Sequence, residues 1–343
     1  MSERLGYRIC LPEGLEASRA WSDKRLRALR AQLARAGGAL DALECVAAAG
    51  SLGRREAAPD SDVDCVVVGS DGAGPDAVER AMAEVLKAIE SVGLRAPKRG
   101  GFFRQVVRRA ELLDPRRLGS LDESPQVYGK RLQCLLDARA VTQSDRFGCL
   151  RGEVLRWFTI GQGASAPFAL LASELVRYRR SYVAYQTYDF AHGEDDSWRL
   201  RMVKLRSSRL VTVAGLLALV GESTTRADPI AFVEEHLELT ALERLLLVMG
   251  QWKPATAERV ARHYAIAHQA VADGSTRRGL IAEGGTVRLD TLAGSGDAAQ
   301  QASPCSVPAA LDAALIELAR EVNDFFLTQR RHWSGWFFQA LLL

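Results

Sequence analysis

Asp62-Val63-Asp64 begins eleven residues after Ser51, in the run Gly50-Ser51-Leu52-Gly53-Arg54-Arg55-Glu56-Ala57-Ala58-Pro59-Asp60-Ser61-Asp62-Val63-Asp64. Two acids two residues apart on a strand point to one face, so both carboxylates can hold the same divalent cation. A Gly-Ser turn lets backbone N–H groups come close to phosphate oxygens. The Ser51 hydroxyl adds a donor, Gly50 and Gly53 permit the approach, and Arg54 or Arg55 can neutralise phosphate charge. Cys65-Val66-Val67-Val68 follows and buries the strand, which fixes where the carboxylates sit. Together these residue types suit a complex of a triphosphate with Mg²⁺ or Mn²⁺, and Asp62 and Asp64 are the expected metal ligands.

Local patterning predicts the scaffold around them. An amphipathic helix is expected over 15–37. Strands are expected at Leu43–Ala49 and Asp62–Val68, then a helix over 76–92 opened by Pro75 and closed near Gly93. A third strand is expected over 101–113. Beyond Pro125 the periodicity is helical, over 126–141, 146–160, 168–190, 198–220, 229–249, 254–273 and 309–331. Residues 274–306, rich in Gly, Ser, Ala and Gln, read as a flexible insertion with a short strand at Thr286–Leu289. The aromatic tail Trp333-Ser334-Gly335-Trp336-Phe337-Phe338 is expected to dock on the helices; a partner contact is the alternative.

The Gly-Ser and Asp-x-Asp pattern resembles the DNA polymerase β-like nucleotidyltransferase superfamily. Its extended form, Gly-Ser-Leu-Gly-Arg-Arg-Glu with Ser-Asp-Val-Asp, is similar to the group that includes the uridylyltransferase of the PII regulatory protein and related bacterial nucleotidyltransferases. Lys130–Arg139, Leu175–Arg180 and Lys204–Arg209 resemble helices of the same group, so the likeness runs from about residue 40 to 220. The resemblance implies an α+β chain. A nucleotidyltransferase domain with a small mixed sheet would occupy residues 1–122, and an all-α domain 123–343. It implies transfer of a nucleoside monophosphate from an NTP such as ATP to a protein, RNA end or small-molecule acceptor, with pyrophosphate released.

Such sites have a third carboxylate on a neighbouring strand. Glu111 is the first candidate for this catalytic position, with Asp114 and Asp137 as alternatives. Arg177 and Lys204 lie in stretches that resemble the family and are expected to face the nucleotide. A nucleotide-binding regulator without turnover is the rival class. A further rival is a HEPN-like RNase, because Arg262 and His268 are spaced like the Arg and His of such enzymes.

Composition bounds the rest. Lys and Arg number 45 against 42 Asp and Glu, so a net charge of +3 excludes a broad polyanion-binding surface while leaving local basic patches. The six cysteines show no Cys-x-x-Cys spacing, which fits reduced thiols in a cytoplasmic protein. The longest apolar stretch, 210–220, is short of the roughly 20 residues a membrane span needs, so no membrane association is expected. The helical half and the aromatic tail are the surfaces from which an oligomer would be built.

Overall fold

The computed structural model describes residues 7–59, 61–97, 104–192, 197–282 and 308–342. Helix α1 (Glu13–Ala36) leads into strand β1 (Leu43–Ala49), a single helical turn α2 (Gly50–Gly53) and strand β2 (Asp64–Gly69). Helix α3 (Pro75–Ser91), strand β3 (Val106–Arg108) and the short helix α4 (Arg109–Leu112) complete the first half. Helix α5 (Pro125–Leu136) is followed by the two-residue strand β4 (Arg139–Ala140).

The four strands form one mixed sheet in the order β3-β2-β1-β4. β1 pairs antiparallel with β2 and with β4, whereas β2 and β3 are parallel. Because side chains alternate along a strand, the sheet feeds two cores. Val46, Ala48, Cys65 and Val67 pack with α1 and α3. Cys45, Ala47, Ala49, Val66 and Val68 pack with the helices that follow. The helical half therefore shares one continuous core with a face of the sheet.

That half comprises α6 (Ser144–Trp157), α7 (Ala169–His192), α8 (Trp198–Arg206), α9 (Ser208–Ser223), α10 (Pro229–His236), α11 (Ala241–Trp252), α12 (Pro254–Ala272), α13 (Gly274–Ala282), α14 (Ala309–Thr328) and α15 (Gly335–Leu342). α9 is the central helix, buried over nearly its whole length. The aromatic tail docks on it: Trp333 and Phe337 are buried, and Trp333 Nε1 donates to Glu222 Oε2 at 3.1 Å. Among the described residues no helix is long and apolar enough to cross a membrane.

Several elements depart from the sequence expectation. The third strand covers only Val106–Arg108; the chain then turns into α4, whose first N–H groups are capped when Glu111 Oε2 accepts from Arg108 N at 2.6 Å. The helix expected to run to 141 stops at Leu136, because Arg139 and Ala140 are drawn into the sheet opposite Ala48 and Ala47. The helix expected over 198–220 breaks at Ser207, where the backbone leaves helical geometry (φ −121°, ψ −92°). The one expected over 229–249 divides before Thr240, which forms a reciprocal cap with Glu243. Residues 274–282 of the expected insertion are helix α13; Thr286–Leu289 lie outside the described residues.

Candidate active site

β1 delivers the chain to Gly50 directly beside the start of β2, since Ala49 pairs with Asp64. Gly50 has φ +63°, and a Cβ there would fall 2.3 Å from Asp64 Oδ2. Glycine is thus required twice over, by the left-handed backbone and by the carboxylate packed against it. Ser51 follows on the same turn and faces the cleft above β2. Gly53 matters for a different reason. A Cβ there would meet Asp137 O at 2.1 Å and Ala48 O at 2.6 Å, so it lets α2 lie on the protein backbone rather than on a ligand.

Asp62 and Asp64 flank Val63, whose buried side chain and N–H bond to Arg95 O at 3.0 Å pin this stretch to the body. Both carboxylates therefore face the same cleft. Asp62 is exposed and Asp64 is recessed. Burial pushes the Asp64 carboxyl up to about 7; the neighbouring Asp62 and Asp137 add to the rise, while Arg209 and Arg54 oppose it.

The opposite wall is basic. The break at Ser207 turns the end of α8 and the start of α9 toward β2, so Lys204, Ser207, Ser208 and Arg209 line the cleft, joined by Arg277 from α13. Burial lowers the Lys204 ammonium to about 8, helped by Arg277 and Arg209 and opposed by Asp62 and Asp64. Arg209 stays firmly charged. Burial works against its cation, but Tyr182, Tyr178 and Asp64 outweigh that cost, and its guanidinium lies 4.9 Å from the Tyr182 ring centre. Among the described residues, none of Asp62, Asp64, Lys204, Arg209 or Arg277 forms an ion pair. Two acids and three cations thus face one another across the cleft, which encloses about 90 Å³ beneath an open mouth.

Tyr264 and His268, four residues apart on α12, form a further wall. His268 Nε2 lies 2.8 Å from Ser18 Oγ, and burial lowers its pKa, so the ring is neutral near pH 7. Arg262 is exposed on another face of α12 and does not line the cleft. Beneath β2, the buried Lys130 Nζ donates to Cys65 O at 2.8 Å.

The remaining expected residues fall elsewhere. Arg54 is buried, with Nε donating to Glu56 Oε2 and Nη1 to Asp137 Oδ2, each at 2.8 Å. It ties α2 to the end of α5 even though it borders the cleft. Arg55, at φ +63°, is paired with Asp23 on α1. Arg177 lies outside the cleft: it pairs with Glu174, donates to Tyr128 Oη at 3.3 Å and stacks 4.5 Å from the Tyr128 ring centre.

Glu111 also lies outside the cleft. β3 runs parallel to β2 with Gly69 opposite Arg108, so residue 111 lies beyond the far end of β2. Asp64 starts that strand, five residues or roughly 16 Å away. Asp114 is engaged with Arg116 at 2.9 Å. Of the three candidate third acids only Asp137 comes near Asp64, and Arg54 holds one of its oxygens. Among the described residues no group of three or more His, Cys, Asp or Glu forms a metal cage. A hard cation would rest on Asp62 and Asp64 together with ligand oxygens, which suits Mg²⁺ or Mn²⁺.

Arg277 and Tyr264 join the cleft without any sequence expectation, and His268, singled out in the sequence only as the partner of Arg262, joins it as well. Arg277 lies in a segment whose composition reads as a linker; the i, i+4 spacing of Tyr264 and His268 is the available signal. A scan against protein-family models finds no match to this chain, and a search of curated proteins returns no significant relative.

Proposed function

We propose that the protein is a metal-dependent nucleotidyltransferase: an acceptor oxygen attacks the α-phosphorus of an NTP, its bond to the bridging oxygen breaks, and pyrophosphate leaves. One observation carries this reading: Asp62 and Asp64 face Lys204, Arg209 and Arg277 across a single cleft with no ion pair among them. Charges of both signs held apart in this way suit a ligand that is itself both cationic and anionic, a metal–triphosphate. Asp62 and Asp64 would hold Mg²⁺ or Mn²⁺, which when bound supplies charge neutralisation for the triphosphate. Ser51 and the backbone of α2 approach the phosphates from the β1 end. Lys204, Arg209 and Arg277 receive the negative charge that grows on the departing pyrophosphate, from positions fixed before the reaction. The acceptor class stays open among a protein, an RNA end and a small hydroxyl compound.

A second reading, a nucleotide-binding regulator without turnover, draws on the placement of the acids. Glu111 is at the wrong end of the sheet and Asp137 is tied to Arg54. Pyrophosphate release from NTPs with Mn²⁺ or Mg²⁺, across a panel of acceptors, separates the two. Release that stops with EDTA and in Asp64→Asn supports transfer. Metal-dependent NTP binding without release supports the regulator. Absence of NTP binding with either metal removes both.

A further inference from the structure

Beside the cleft lies a second, smaller pocket between α5, α7 and α9, and Arg209 lines both. Gln133 and Asp137 line this pocket and are 2% and 6% exposed. Gln133 Nε2, Gln133 Oε1 and Asp137 Oδ1 are buried without a hydrogen-bond partner. The other Asp137 oxygen is occupied by Arg54. Buried polar atoms in native proteins are almost always paired, so an amide unpaired at both ends calls for water or a ligand group. The pocket encloses about 20 Å³, room for one water-sized group. Flat groups line it as well. The Arg209 guanidinium lies over Tyr182, and the Tyr182 and Tyr178 rings are 6.2 Å apart, tilted by 33°.

We infer that this pocket reads the nucleobase of the nucleotide whose triphosphate occupies the cleft, selecting adenine or cytosine. The inference rests on the nucleotide reading above. The base ring lies against Tyr182 and Arg209, where stacking tolerates any base. Only its exocyclic group fits the water-sized end. There the acceptors, Asp137 Oδ1 and Gln133 Oε1, outnumber the single donor group, Gln133 Nε2. An exocyclic amino group supplies two N–H donors to the two acceptors, and the adjacent ring nitrogen accepts from Nε2. Adenine and cytosine carry that pair on the edge away from the sugar, whereas guanine carries it only at its 2-amino group and N3, on the sugar side. Uracil instead turns a carbonyl oxygen toward Asp137 Oδ1 and leaves the carboxylate oxygen unpaired, the kind of mismatch that gives strong rejection.

Calorimetric titration of the full chain with Mn²⁺ and tripolyphosphate, ATP or UTP tests this. ATP is expected to bind at least about tenfold more tightly than UTP, the equivalent of one good hydrogen bond. In Gln133→Leu that preference should fall to within about twofold, with tripolyphosphate affinity unchanged. Tyr182→Ala removes a half-buried stacking face and should weaken ATP by several-fold more than it weakens tripolyphosphate, whose partner Arg209 also rests on this ring; it serves if Gln133→Leu fails to fold. Equal binding of ATP and UTP by the wild-type protein, or a preference that survives Gln133→Leu, overturns the inference, and the pocket then holds water only. In either case tripolyphosphate still binds. Loss of tripolyphosphate binding in the wild-type protein would instead overturn the cleft reading and the base pocket with it.

Discussion

A methyl group added to Gly50 would lie 2.3 Å from Asp64 Oδ2, so the turn that opens α2 and the second aspartate are packed against each other across β1 and β2. The Gly-Ser turn and the Asp-x-Asp pair are therefore one structural unit. Gly50→Ala should displace the carboxylate and force an unfavourable backbone at φ +63°. The expected stability loss is roughly 1–3 kcal/mol. Metal-dependent ATP affinity should fall at least about tenfold. Thermal denaturation and titration calorimetry on the same variant read both effects.

Asp64 gives the fold a definite pH response. Its carboxyl is raised from the ordinary 3.8 to about 7, chiefly by burial. The folded protein thus holds this proton more tightly than the unfolded chain does. Its contribution to stability is full below about pH 4 and is lost as pH rises through about 7. The rise corresponds to at most roughly 4 kcal/mol, less where cleft water reaches the carboxylate. Asp64→Asn should therefore stabilise the metal-free protein more at pH 8 than at pH 5. Equal gains at the two pH values would contradict a buried, proton-holding Asp64.

Lys204 sets the opposite limb for ligand binding. With its pKa lowered to about 8, mainly by burial, it loses its charge above that pH, while Asp64 gains charge only above about 7. Affinity for Mn²⁺–ATP should be greatest between about pH 7 and 8 and fall on both sides. In Lys204→Met the alkaline fall should disappear, with affinity reduced about tenfold at pH 7.5. A binding profile measured from about pH 5.5 to about 9.5 spans both titrations and checks both limbs.

Arg54 is expected to serve stability more than binding. It is 6% exposed and bridges Glu56 and Asp137, so its removal leaves two buried carboxylates without their cation. Arg54→Met should cost roughly 3–5 kcal/mol in urea denaturation. Arg54→Lys should recover only part of this, because one ammonium cannot match the forked geometry of the guanidinium.

Arg177→Ala should leave Mn²⁺–ATP affinity within about twofold of wild type. The side chain is committed to Glu174, Tyr128 and Ser120 outside the cleft. A tenfold loss on titration would mean that α7 rearranges when nucleotide binds.

Features set by near neighbours along the chain were legible in the residues alone. Strand β1, the Gly50-Ser51 turn, Asp62, Asp64 and the apolar strand after them lie within about twenty-five residues, where period-two burial and turn chemistry govern the outcome. The helical character of the second half was legible for the same reason, since periodicity and capping residues act over a few turns. Everything that depends on strand direction or distant packing had to wait for the folded chain. Glu111 suited the third position until the parallel pairing of β2 with β3 carried it to the far end of the sheet. Arg139 and Ala140 left the expected helix because β1 offered unpaired backbone groups at its free edge. Lys204, Arg209 and Arg277 meet Asp64 from 140 to 213 residues away only because α9 is buried at the centre and the chain breaks at Ser207, which no local rule requires. Arg177 and Lys204 are both basic residues on helices, and their local patterns do not tell them apart. Which of them reached the aspartates depended on which helix face the shared core buried, a non-local balance that one chain's residue pattern does not encode.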